Sequence, residues 1–230
     1  MLYMISTNHV SKSILKGSVE DSMNHDTRTH TPPPQLHKIR METGDVLLFE
    51  SRYKGAFGWW AWIVSLVTRS KYTHVALVLK DPTYICKEYK GLYVIECGSE
   101  EWESRWGVLV SPLQKILDDD SHSHVYHRAL HTSIDVDLLM PSIYTTVMNK
   151  TYDTNLLELL GNELKSKLLA NPRELDRFVC SSLVGYIFTA LGALPKETKW
   201  FFMQPKHFSQ SNTTLPLVRS SLGPEIEIYT

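Results

Sequence analysis

The stretch that most constrains this chain runs from Phe178 through Val179-Cys180-Ser181-Ser182-Leu183-Val184 to Gly192. Apolar or small residues at Cys180, Leu183, Val184, Ile187, Phe188 and Leu191 recur with the spacing of a helix that buries one face. Gly192 suits the left-handed residue that ends such a helix, and Pro195 follows just beyond it. Ser181 and Ser182 are modest helix formers but good first-turn residues, so Cys180 is expected at or near the helix N-terminus. A thiol at that place faces unpaired N–H groups and the positive end of the helix dipole, both of which favour the thiolate. Taken alone, a cysteine on an apolar helix face is more often a small buried hydrophobe. Its chemistry therefore depends on what the rest of the chain brings to it.

Two strands supply partners. Glu42-Thr43-Gly44-Asp45-Val46-Leu47-Leu48-Phe49 reads as a Gly-Asp turn opening into an apolar strand. Lys71-Tyr72-Thr73-His74-Val75-Ala76-Leu77-Val78-Leu79 is β-branched and apolar with a single histidine, and Gly91 to Gly98 is similar with a single acid, Glu96. Separately, His74 reads as a satisfied core histidine and Glu96 as a strand-end carboxylate. As a pair they say more. Their positions share parity, so a hairpin turning near residue 85 can set them directly opposite on one face. A carboxylate across the ladder from an imidazole holds it in one tautomer, as a general base requires.

The remaining features bound the alternatives. With 230 residues and 43% hydrophobic content, the chain can bury one sizeable core. A net charge of −1 provides no basic excess for nucleic acid, and none is expected as a partner. Three cysteines without C-x-x-C spacing exclude a disulfide framework or a structural zinc site and suit a reducing compartment, so a cytoplasmic location is expected. The N-terminus lacks the sustained apolar stretch of a secretory signal, and the longest apolar run, Ala56 to Val67, is too short to span a membrane. That run contains Trp59, Trp60 and Trp62. It reads either as a core-packing helix or as a lipid-facing wall making peripheral membrane contact.

Residues 1–40, rich in His, Ser and Thr and ending in a proline run, read as a flexible tail. Further strands are expected over Arg105 to Pro112 and His124 to Leu130, and helices over 133–149 and 155–169. His122, His124, His127 and His131 have no sequence-adjacent acid or cysteine to complete a ligand set, so they read as strand and loop residues, and no metal is expected. Trp200 to Phe208 is expected to pack back on the domain, with residues 209–230 as a loosely ordered C-terminal tail.

Val179-Cys180-Ser181-Ser182-Leu183-Val184, with Gly192 and Leu194-Pro195-Lys196, resembles the nucleophile helix of the NlpC-type papain-like hydrolases. Gly44 to Phe49 and His74 to Val78 resemble that superfamily's Gly-Asp strand and histidine strand. In the ordinary order the cysteine comes first, whereas here both strands precede it. That order resembles the permuted branch, the YiiX/YaeF-like hydrolases of bacteria and their relatives in large DNA viruses such as poxviruses. The permuted lecithin–retinol acyltransferase-like branch fits less well, because its cysteine sits in Asn-Cys-Glu-His-Phe and this chain has Val-Cys-Ser-Ser-Leu.

The resemblance covers residues 41–208 and implies an α+β, circularly permuted papain-like catalytic domain, an antiparallel sheet packed against the nucleophile helix. It implies a Cys180–His74–Glu96 triad that needs no cofactor, with the Cys180 N–H as an oxyanion donor. Tyr72, two residues before His74, is a second candidate donor. The expected activity is a cysteine hydrolase forming a thioester acyl-enzyme on a peptide, amide or acyl-lipid substrate. The alternatives are an acyltransferase or lipid-modifying enzyme on the same triad, or a catalytically silent binding domain of the same fold.

Overall fold

The central strands are long enough and apolar enough to be buried on both faces, and that decides the architecture. The computed structural model describes residues 39–51, 70–100, 105–118, 122–148, 151–152 and 177–229. In chain order these form β1 (Val46–Ser51), β2 (His74–Lys80), β3 (Leu92–Glu100), β4 (Arg105–Pro112), α1 (Leu113–Leu117), β5 (His122–Arg128), β6 (Leu130–Thr132) and α2 (Val136–Val147). There follow β7 (Thr151–Tyr152), β8 (Arg177–Phe178), α3 (Cys180–Leu191), 3-10 turns at Trp200–Phe202 and Pro205–Phe208, β9 (Ser220–Leu222) and β10 (Ile226–Tyr229). Residues 1–38 of the tail expected over 1–40, the tryptophan segment with Trp59, Trp60 and Trp62, and the helix over 155–169 lie outside the described residues.

The fold is α+β. Eight strands form one sheet in the order β10-β5-β1-β2-β3-β4-β7-β8, and β6 pairs with β9 in a second, two-stranded sheet. All pairings in the large sheet are antiparallel except β7 with β8. The strands carrying Val46, His74 and Glu96 are consecutive neighbours, as their patterns predict.

Alternation along the strands splits the core in two. Val46, Leu48, Val75, Leu77, Leu79, Ile95 and Cys97 face α3, where Leu183, Val184, Ile187, Phe188 and Leu191 meet them in one buried cluster. Leu47, Phe49, Ala76, Val78 and Val94 face the other way, against Leu113, Leu117, Val125 and Ile228. Each fully buried Leu, Ile or Phe contributes about 1.5–3 kcal/mol. A sheet covered on both faces explains why β1 and β2 read as continuous apolar runs rather than alternating ones.

The Gly-Asp turn has a structural task. Gly44 adopts φ +95°, and a Cβ there would meet Leu130 Cδ2 at 3.0 Å, so only glycine fits without strain. Buried Asp45 accepts from the backbone N–H of Glu42 (3.0 Å) and Leu130 (2.8 Å), and its Oδ2 lies 2.7 Å from His127 Nε2. It thereby ties the start of β1 to the corner between β5 and β6.

The sequence-based boundary at residue 208 requires correction. The stretch expected as a tail contributes β9 and β10, and β10 pairs with β5 at the edge of the large sheet. Arg128, buried at the end of β5, anchors it by donating to the carbonyls of Phe208 (2.6 Å), Leu222 (3.0 Å) and Gly223 (2.7 Å). Among the described residues, no helix is long and apolar enough to cross a membrane.

Candidate active site

Helix α3 starts where its sequence places it. Val179 is extended and its carbonyl accepts from Leu183 N–H (3.0 Å), the first helical bond. Valine has no side-chain acceptor for a cap, but Ser182 reaches back, its Oγ accepting from Val179 N–H at 2.9 Å. Gly192 closes the other end at φ +78°. Cys180 is therefore the first residue of a well-defined helix, half-buried and on the side facing β2 and β3.

His74 opens β2 and sits opposite Phe49 of β1, their ring centroids 5.2 Å apart. Its Nε2 lies 2.6 Å from Glu96 Oε2, with both side chains mostly buried. The expected register is displaced by two residues on β3. Leu77 pairs with Ile95 and Val78 with Val94, so the hairpin turns about residue 86 and not 85. Continued, that register puts Gly98 opposite His74 and makes Glu96 its diagonal neighbour on the same face. Diagonal positions remain within reach of long side chains, so the pair forms nonetheless.

The same register explains how the thiol reaches the imidazole. His74 and Glu96 share parity with Ala76, Val78 and Val94, which belong to the sheet face turned away from α3. The ladder between β2 and β3 ends at Leu77 and Ile95, although β3 continues beside β4 as far as Glu100. Beyond that end the backbone of Val75, with that of Ser181, lies close enough to the Cys180 sulfur to favour its charged form. The thiol thus sits where the two strands part, in hydrogen-bond contact with His74. With Nε2 engaged by Glu96, Nδ1 is the ring nitrogen left for the sulfur.

The electrostatics follow from this contact. Burial pulls the His74 pKa down, but the Cys180 sulfur and Glu96 outweigh it and push it up to about 10. Burial alone would raise the Cys180 thiol, yet the His74 charge and hydrogen bond, with the Val75 and Ser181 N–H groups, hold it below its ordinary value. Both shifts act in favour of a thiolate–imidazolium pair backed by a carboxylate. That arrangement suits nucleophilic attack followed by proton donation.

Tyr72 is committed elsewhere. Its hydroxyl donates to Glu225 Oε2 at 2.6 Å, in the segment between β9 and β10, and its ring lies edge-on to Tyr126. A phenol has one proton, so this bond takes the one an oxyanion would need. The other expected site residues come together, while Tyr72 is drawn to the C-terminal segment.

Two of the three β5 histidines find acids, from distant parts of the chain: His127 meets Asp45, and His124 Nδ1 lies 2.5 Å from Glu227 Oε1. Neither partner is visible in local spacing. Sequence reasoning also missed Ser181, whose Oγ donates to Met203 O at 2.6 Å and fastens the 200–203 turn to the start of α3.

No protein-family model matches this chain, and no curated protein is significantly similar to it.

Proposed function

We propose that this chain is a cysteine hydrolase of the permuted papain-like type, cleaving an amide or acyl ester through a thioester. The observation that carries the proposal is the convergence of Cys180, His74 and Glu96, from a helix N-terminus and two strands, into one hydrogen-bonded relay. The order of those elements in the chain, His strand, acid strand, Cys helix, supports the permuted reading. The Cys180 thiolate adds to the substrate carbonyl carbon. The imidazolium of His74 then gives its Nδ1 proton to the departing amine or alcohol as the C–N or C–O bond breaks. Neutral His74 next takes a proton from water as the water oxygen attacks the thioester carbonyl, and expulsion of the sulfur as thiolate restores the thiolate–imidazolium pair. Glu96 holds Nε2–H throughout and stabilises each imidazolium state. Transfer to an alcohol or amine acceptor in place of water would make the same relay an acyltransferase.

The test needs no substrate. Iodoacetamide labelling, resolved by site with mass spectrometry at neutral pH, should modify Cys180 faster than Cys86. Cys86 is equally half-buried but hydrogen-bonded to a carboxylate, Glu88, and not to a cation. In His74→Ala the excess should disappear. Slow Cys180 labelling that is indifferent to His74→Ala would leave a binding domain and end the enzyme reading.

A further inference from the structure

A pocket of about 220 Å³ opens beside the N-terminal half of α3 and is not used by the relay. Met203 joins the two: it lines the pocket, its carbonyl holds Ser181, and its Sδ lies against Gly185, where an added Cβ would come within 2.6 Å. Phe202, Met203, Leu215 and Pro216 form apolar walls. The polar lining is selective in kind. Asn212 and Thr214 are spent on local bonds, with Thr214 N–H and Oγ1 both donating to Asn212 Oδ1 and Asn212 Nδ2 donating to His207 O. Lys199 and His207 are the strong donors of the lining that these local bonds do not engage. His207 Nδ1 accepts the Gln204 N–H at 3.1 Å, so the neutral ring carries its proton on Nε2 and presents a donor. Burial and neighbouring Lys206 lower the His207 pKa and keep the ring neutral. Lys199 is a cation and a donor.

We infer that this pocket binds an anionic amphiphile: a carboxylate or phosphate held by Lys199 and His207, with the first carbons of an apolar chain against Phe202, Met203 and Leu215. Two strong donors in a lining that otherwise includes four apolar side chains match a charged head on a chain, and they match a cation or a neutral polar group poorly. The volume falls below the ~300–1,000 Å³ of sites that enclose drug-sized ligands, so the pocket takes the head and a short length of chain. As a statement about substrate class this rests on the proposed hydrolase reading; as a binding site it stands apart from it.

Calorimetric titration of the full chain with octanoate, octyl phosphate, 1-octanol and acetate separates the contributions. Octanoate or octyl phosphate should bind at least about tenfold tighter than octanol or acetate, and the tighter of the two names the head group. Lys199→Met should weaken that ligand about fivefold and leave octanol unchanged, since an exposed lysine contributes a modest charge-assisted bond. The ligand should also slow iodoacetamide labelling of Cys180. Octanoate and octyl phosphate binding no tighter than octanol, or binding indifferent to Lys199→Met, would overturn the inference. Lys199-dependent binding with an unreactive Cys180 would keep the pocket and remove the hydrolase, whereas a reactive Cys180 without such binding would do the reverse.

Discussion

At the scale of single residues, Cys180 and His74 titrate as one system, because each is the main charged partner of the other. In the proposed reaction the working state needs the thiol deprotonated and the imidazole protonated. As pH falls, the sulfur takes up a proton and reactivity is lost, but only well below the range of an ordinary thiol. As pH rises through about 10, His74 loses its proton and the general acid disappears. Turnover should therefore follow a bell with its alkaline limb near pH 10, measurable once a chromogenic amide or ester is accepted. Glu96→Gln keeps the shape and removes one of the two interactions that raise His74. The alkaline limb should move to lower pH and turnover should fall about a hundredfold with little change in melting temperature. An unmoved limb would assign the orienting role to another group.

At the scale of elements, the start of α3 is held by a few contacts of different kinds. Ser182 supports the first turn, Ser181 binds the Met203 carbonyl, and Gly185 lets the 200–203 turn lie close. Gly185→Ala should gain about 1 kcal/mol of helix propensity. The new Cβ would lie 2.6 Å from Met203 Sδ and 3.0 Å from Trp200 Cβ, and overpacking of this kind costs about 1–3 kcal/mol. The expected outcome is a net loss of about 1 kcal/mol in urea denaturation, with slower Cys180 labelling as the turn shifts the helix N-terminus. An increase in stability would show that Met203 and Trp200 move aside freely.

For the whole molecule, the C-terminal segment closes one edge of the sheet and also supplies Glu225 to Tyr72. Arg128 holds it by three carbonyls, a geometry that suits the guanidinium fork and not an ammonium. Arg128→Met should strand those acceptors and cost about 3–5 kcal/mol. Limited proteolysis should then cut first within 209–229, a segment that should resist cleavage in the parent protein. Equal resistance in the variant would mean that β9 and β10 hold the segment without Arg128.

Much of the site was legible because its determinants are local. Helical spacing with Gly192 at its end located α3, and the first-turn serines located Cys180. Strand runs located His74 and Glu96, and parity alone put those two on one face, since period-two alternation survives a shift of two residues. What failed was what depends on pairing across distance. The hairpin register moved by two residues because the turn geometry, and not the mean position of the polar loop, sets it. The segment 209–229 looked like a tail because β9 and β10 are only three and four residues long, too short for a pattern, and become strands only by pairing with β6 and β5. The bond of Tyr72 to Glu225 was out of view for the same reason: its partner lies 153 residues away. Short-range spacing determined which residues could carry the chemistry, and only the tertiary structure decided which of them meet, because hydrogen-bond partners far apart in the chain are chosen by the packing of the sheet.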